Sequence, residues 1–158
     1  MMLLRLEEFG VPMKCVFRLE DRLREDPMQV QLAQALTLNA AKHRMGLRGT
    51  YGLFGSPEWW ANIRDGKVPL LYQIGVVQRV YVAGQDKNVP NNTIDIRLDD
   101  GSLCTSGIYV NNKVDVELFQ PGRRVGIVYA LDELKLQPAI DGGLNQSKIA
   151  LEMVVSIE

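Results

Sequence analysis

Met28, Leu32, Leu36 and Ala40 recur every four residues, with Ala35 beside them, and this apolar stripe predicts a helix over residues 26–45. Asp26 suits the N-cap, where its carboxylate can accept from free backbone amides, and Pro27 suits the first helical position, which needs no N–H. Lys42, His43 and Arg44 complement the negative end of the helix, and Gly46 can take the left-handed stop. Val30, Ala33, Thr37 and Ala41 form a second face of small residues. The apolar stripe either covers the rest of the protein or forms a seam with a second copy. Upstream, Val16, Leu19 and Leu23 fit a helix, while Met13, Cys15, Phe17 and Leu19 fit an alternating strand. Pro12 and the charged stretch 20–26 tilt the reading of residues 13–25 toward helix.

Residues 46–69 lose the period. Glycines at 46, 49, 52, 55 and 66 make this an irregular bridge. Inside it, Ser56-Pro57-Glu58 before Trp59-Trp60 predicts a short helix: a serine cap, proline at the first position and an acidic first turn. Asn62, Asp65 and Gly66 would end it.

Beyond Pro69 the pattern turns to Val, Ile, Tyr and Thr runs separated by Gly, Asn and Asp, which predicts strands. They are expected at 71–82, with Gly75 as a bulge or bend, at 93–98, 103–110, 114–118 and 125–131, and at 148–157 in strict alternation. Asp99-Asp100-Gly101-Ser102 is a hairpin turn. Residues 89–92 and Asn111-Asn112 are turns, Pro121-Gly122 a break, and 141–143 a loop. The fold class is α+β, mainly β. N-terminal helices (residues 1–68) would join a five- to six-stranded barrel of OB or SH3-like type (69–158) in one compact unit, because closure removes exposed strand edges. The alternative is a curved antiparallel sheet packed by the long helix.

Composition narrows the function. The chain has 158 residues, 46% hydrophobic and 23% charged, with a net charge of -1. That length supports a core without a disulfide or metal staple. Near-neutral charge removes an overall field for nucleic acid or acidic membranes. The N-terminus lacks the basic start, apolar core and cleavage site of a secretory signal, and no window is apolar enough to span a bilayer. Cys15 and Cys104 form neither a CxxC nor a zinc pattern, so a cytoplasmic protein with reduced thiols is expected.

The chemistry is sparse. His43 is the single histidine, which removes multi-histidine metal sites and leaves no family-like cysteine–histidine pattern. Paired carboxylates such as Asp99-Asp100 and Asp132-Glu133 are sequence neighbours that point apart, unlike an acid–base pair, and Asp99 and Asp100 are better read as turn formers. Gly49, Gly52 and Gly55 have no phosphate-loop lysine after them. Neither cofactor nor metal is expected.

One cluster stands out. Tyr51, Phe54, Trp59 and Trp60 lie within ten residues, with Arg64 close by. These five residues are the candidate binding site. The plain reading is that one tryptophan plugs the core. The functional reading is that the other anchors a partner. The segment 55–60, taken with Pro121-Gly122-Arg123-Arg124-Val125, resembles small bacterial barrel proteins, a likeness that implies no activity. The sequence therefore points to a non-catalytic, bacterial-type interaction module acting through a protein partner or self-association. A second reading is an OB-type binder of single-stranded nucleic acid that stacks bases on the same aromatics, with Arg48, Arg64, Lys67, Arg123 and Arg124 on the phosphates. A third is an enzyme with an unrecognised site.

Overall fold

The computed structural model describes residues 2–84, 91–138 and 144–158. A 3-10 helix at Leu6–Phe9 leads into β1 (Met13–Arg18), followed by three helices: α1 (Leu19–Glu25), α2 (Pro27–Leu38) and α3 (Pro57–Arg64). Strands β2 (Leu70–Tyr81), β3 (Thr93–Leu98) and β4 (Leu103–Gly107) come next, then a 3-10 helix at Lys113–Leu118 and the long strands β5 (Arg124–Pro138) and β6 (Leu144–Ser156). The fold is mainly β, with one antiparallel six-stranded sheet in the order β1-β6-β5-β2-β3-β4.

The expected barrel is not closed, because the edge strands β1 and β4 do not pair with each other. The chain itself stands in the way. After β4 it reaches Asn111, whose backbone N–H donates to the Val16 carbonyl (2.9 Å) and whose side chain brackets Arg18. Asn111 thus holds the groups on β1 that closure would need. The sheet is nonetheless curved. Six flat strands would hold their edges about 24 Å apart, whereas the four residues from Gly107 to Asn111 reach at most about 14 Å.

Other expectations also change. Residues 13–18 are strand and only 19–25 are helix. The helix expected over 26–45 ends at Leu38. There the Asn39 amide donates to the Leu36 carbonyl, and the Asn39 side chain accepts from the Ala41 amide. The Lys135 ammonium donates to the carbonyls of Leu36 (2.6 Å), Lys42 (3.1 Å) and Asn39 (3.3 Å), which a continuing helix would have used itself. Asp26 occupies the N-cap, but its side chain accepts no capping bond. Residues 113–118 form a 3-10 helix rather than a strand, capped by the Asn112 side chain on the Val114 amide. The register shift in β2 falls between Val77 and Arg79, not at Gly75. Gly75 is where β3 comes close: a Cβ there would sit 2.0 Å from the Arg97 carbonyl oxygen. Asp99-Asp100-Gly101 makes the hairpin turn, with Gly101 at φ +88° and the Leu98 amide donating to the Ser102 carbonyl (2.8 Å). The first two residues of the turn expected at 89–92 and the loop at 141–143 lie outside the described residues.

The chain divides into two compact units. One comprises residues 20–71 and 129–149, with Trp59, Ile63, Val68, Phe54, Leu23 and Ala130 in its interior. The other comprises residues 2–19, 72–128 and 150–158. Its core holds Phe17, Val77, Ile94, Ile96, Phe119, Val125, Ile127, Met153 and Val155.

Candidate functional site

Local chemistry builds the aromatic cluster. The Ser56 hydroxyl accepts from the Trp59 amide (3.2 Å), starting α3 as the Ser-Pro-Glu pattern requires. The first turn then brings Phe54 and Trp59 together with ring centroids 5.1 Å apart, and Trp59 and Trp60 at 4.9 Å, both edge-on. Trp59 is 0% exposed, and its indole N–H donates to the Asp132 carboxylate at 3.0 Å. The other Asp132 oxygen accepts from the Glu133 amide. Burial holds the Asp132 carboxyl above the usual carboxylate range, against the opposing pull of the Trp59 bond. Tyr51 is half-buried, its hydroxyl pushed up by burial and then by Glu133 and Asp132, while Thr50 donates to Glu133 at 2.7 Å.

The five sequence-selected residues thus divide. Phe54 and Trp59 fill the interior of their unit, Tyr51 and Trp60 are half-buried, and Arg64 is exposed in the last turn of α3. The structure joins Phe54, Trp59 and Trp60 in one ring cluster, and Trp59 offers no surface to a partner.

A larger apolar surface lies on α2. None of its residues is buried, and Met28 (55% exposed), Leu32 (64%) and Leu38 (69%) project into solvent. Met28 and Leu32 of the predicted stripe thus lie on the outer face, while Leu36 is half-buried and packs toward Gly46, where a Cβ would lie 2.8 Å from its side chain. The small-residue face turns inward instead, toward the glycine bridge. A Cβ on Gly49 would lie 3.2 Å from a Thr37 methyl, and one on Gly55 would lie 3.2 Å from a Val30 methyl. The Gln34 amide donates to the Phe54 carbonyl (2.9 Å). At φ +84° and +75°, Gly49 and Gly55 supply backbone conformations that side-chain-bearing residues rarely adopt. Close packing therefore sets Val30, Thr37 and Leu36 against the glycine bridge, Leu36 meeting Gly46, and leaves Met28, Leu32 and Leu38 out. The segment Pro27–Leu38 carries no charged residue. Exposed Lys42, His43 and Arg48 follow it, with a cavity of about 500 Å³ between Leu38, Ala40, His43, Arg48 and Lys135.

In the second unit, Arg124 grips Asp99 through two bonds of 2.6 and 3.3 Å and lies 5.9 Å over the Phe9 ring. This pair holds the Asp99 carboxyl below its ordinary range. It borders a cavity of about 370 Å³ with Leu4, Glu8, Tyr72 and Ile74. The buried Glu152 carboxylate accepts from the Leu3 and Leu4 amides at 2.9 Å, tying the N-terminal segment to β6. These contacts are structural. Among the described residues no group of three or more His, Cys, Asp or Glu side chains is placed to hold a metal ion. Among the same residues no helix is long and apolar enough to cross a membrane.

A family model described as Immunity protein RhsI2 matches residues 13–156. The chain belongs to that family. No curated protein matches it. The RhsI2 match runs from the first residue of β1 to the last of β6 and includes both α2 and the two sheet edges. Membership of this immunity-protein family fits a non-catalytic, protein-binding role. Sequence reasoning left the apolar stripe of α2 as either a cover for the rest of the protein or a seam with a second copy, and the structure leaves its Met28 and Leu32 exposed. The available signal was twelve helical residues without a charge, unusual for a helix exposed along its length.

Proposed function

We propose that the chain is a non-catalytic immunity module that binds a protein toxin and neutralises it by occupancy, with the outer face of α2 as a principal contact. Family membership over residues 13–156 supports the class of partner. The observation that carries the reading to a surface is the charge-free outer face of α2, where Met28, Leu32 and Leu38 stand exposed. Exposed apolar residues grouped on one face mark a protein contact more often than scattered ones do. Lys42, His43 and Arg48 beyond it define the partner's counterpart: an apolar patch with an acidic border.

Co-expression with the toxin domain tests the reading. The wild-type chain should rescue growth and co-purify in stoichiometric amount. Leu32→Glu should weaken the complex by roughly tenfold or more, since a charge is buried where an apolar side chain belonged. Its melting temperature should stay close to wild type, because Leu32 is exposed in the free protein. Growth arrest in the presence of abundant, folded wild-type chain would refute the function. Full affinity in the Leu32→Glu variant would remove α2 from the interface.

A further inference from the structure

Hydrogen-bond parity identifies which backbone groups of β4 face outward. In an antiparallel pair, opposite residues alternate between exchanging both backbone bonds and exchanging neither. The pairs β3 and β4 make run Thr93 with Gly107, Ile94 with Ser106, Asp95 with Thr105, Ile96 with Cys104 and Arg97 with Leu103. Two bonds set the phase: the Leu98 amide donates to the Ser102 carbonyl, and the Ile108 amide donates to the Asn92 carbonyl. Cys104 and Ser106 therefore bond to β3, and Leu103, Thr105 and Gly107 direct their N–H and C=O groups away from the sheet. Gly107 is partly closed off, since its carbonyl accepts from the Ser106 hydroxyl and the Tyr109 ring lies against it. At Leu103 and Thr105, two amides and two carbonyls meet no partner among the described residues.

Sheets normally protect such an edge with a lysine, a proline, a bulge or a covering segment. The β4 sequence Leu-Cys-Thr-Ser-Gly carries no charge and no proline, and its register with β3 is unbroken. Leu103 is 67% exposed. Beside the edge lies a cavity of about 330 Å³ lined by Gln78, Asp95, Arg97, Leu103, Cys104 and Thr105. The Asp95 carboxylate is occupied, accepting from the Tyr81 and Thr105 hydroxyls at 2.9 Å each. Arg97 is exposed and makes no ion pair among the described residues.

We propose that the outer edge of β4 at Leu103–Thr105 receives an extended segment of the toxin polypeptide as an added strand. The four outward backbone groups supply its hydrogen bonds. An apolar side chain of that segment covers Leu103, and a carboxylate reaches Arg97. With only two outward-facing residues free, the edge takes one short strand rather than seeding a growing sheet. This inference rests on the toxin-binding reading above.

The test titrates the purified toxin domain against the full-length wild-type chain and its Thr105→Pro and Leu103→Pro variants. Each proline removes one outward N–H and places a ring on the edge, while the backbone bonds to β3 run through Cys104 and Ser106. Affinity should fall roughly tenfold or more in folded variants. The amides of Leu103 and Thr105 in the wild-type chain should gain protection from hydrogen exchange when the toxin domain binds, a readout that needs no variant. Unchanged affinity in a folded proline variant, or no added protection in the complex, overturns the strand addition while leaving toxin binding intact. Failure of the wild-type chain to bind removes both readings. A wild-type dimer abolished by Thr105→Pro would assign the edge to a second copy instead and overturn the toxin as its occupant.

Discussion

The two edges of the sheet receive opposite treatment. At β1, Asn111 acts as a substitute strand: its backbone N–H meets the Val16 carbonyl, its side-chain oxygen accepts from the Arg18 amide (2.8 Å), and its side-chain nitrogen donates to the Arg18 carbonyl (3.2 Å). A 2.7 Å ion pair between Lys14 and Asp115 pins the same segment, and the register with β6 shifts between Cys15 and Phe17. At β4 none of these devices is present at Leu103 and Thr105. One chain thus contains both a sealed edge and an open one. An open edge lets the backbone act as a binding group, whereas a sealed edge contributes only to stability.

Four substitutions break or sharpen this contrast. The largest effect is expected from Gly75→Ala. Its Cβ would meet the Arg97 carbonyl at 2.0 Å, so β2 and β3 must separate and the support of the open edge is lost. Urea denaturation should register a loss of about 3 kcal/mol or more. Asn111→Ala removes the two side-chain bonds that seal β1 and should cost about 2 kcal/mol in the same assay, with the Arg18 amide changing from slow to fast exchange. Thr105→Pro is its counterpart on the other edge and should cost about 1 kcal/mol, because no backbone bond to β3 is removed and the bond lost, from the Thr105 hydroxyl to Asp95, is exposed. If Thr105→Pro proved as damaging as Asn111→Ala, the two edges would be equivalent. The smallest change in stability belongs to Arg97→Glu, within about 0.5 kcal/mol for an exposed side chain without an ion pair. It should still weaken toxin binding several-fold, and more so at low salt.

How far the sequence could be read follows from how local each feature is. The hairpin turn at Asp99–Gly101 and the Ser56 cap of α3 depend on residues within four positions, and both were legible. The closing alternation of residues 148–157 was equally plain and lies within β6, apart from its last residue. The 3-10 helix at Lys113–Leu118 was not, because Val114, Val116 and Leu118 follow the period-two spacing of a strand. On α2 the period was legible and the side was left open between a core cover and a seam. Periodicity shows that one face is apolar, but the glycine bridge determines which residues pack: Leu36, Thr37 and Val30 meet Gly46, Gly49 and Gly55. The open barrel was hidden for a related reason. Whether two edge strands meet depends on Asn111 arriving at β1, a contact 93 residues distant in sequence. The aromatic cluster was visible from composition, yet its division into a buried Trp59 and a half-buried Trp60 depends on Asp132, 73 residues from Trp59.

The most direct test of the two-edge account is residue-resolved amide hydrogen exchange on the free protein, followed by the same measurement with the toxin domain bound. The account predicts rapid exchange at Leu103 and Thr105, slow exchange at Cys104, Ser106 and Arg18, and protection of Leu103 and Thr105 only in the complex. Slow exchange at Leu103 and Thr105 in the free monomer, or unchanged rapid exchange in the complex, would contradict it.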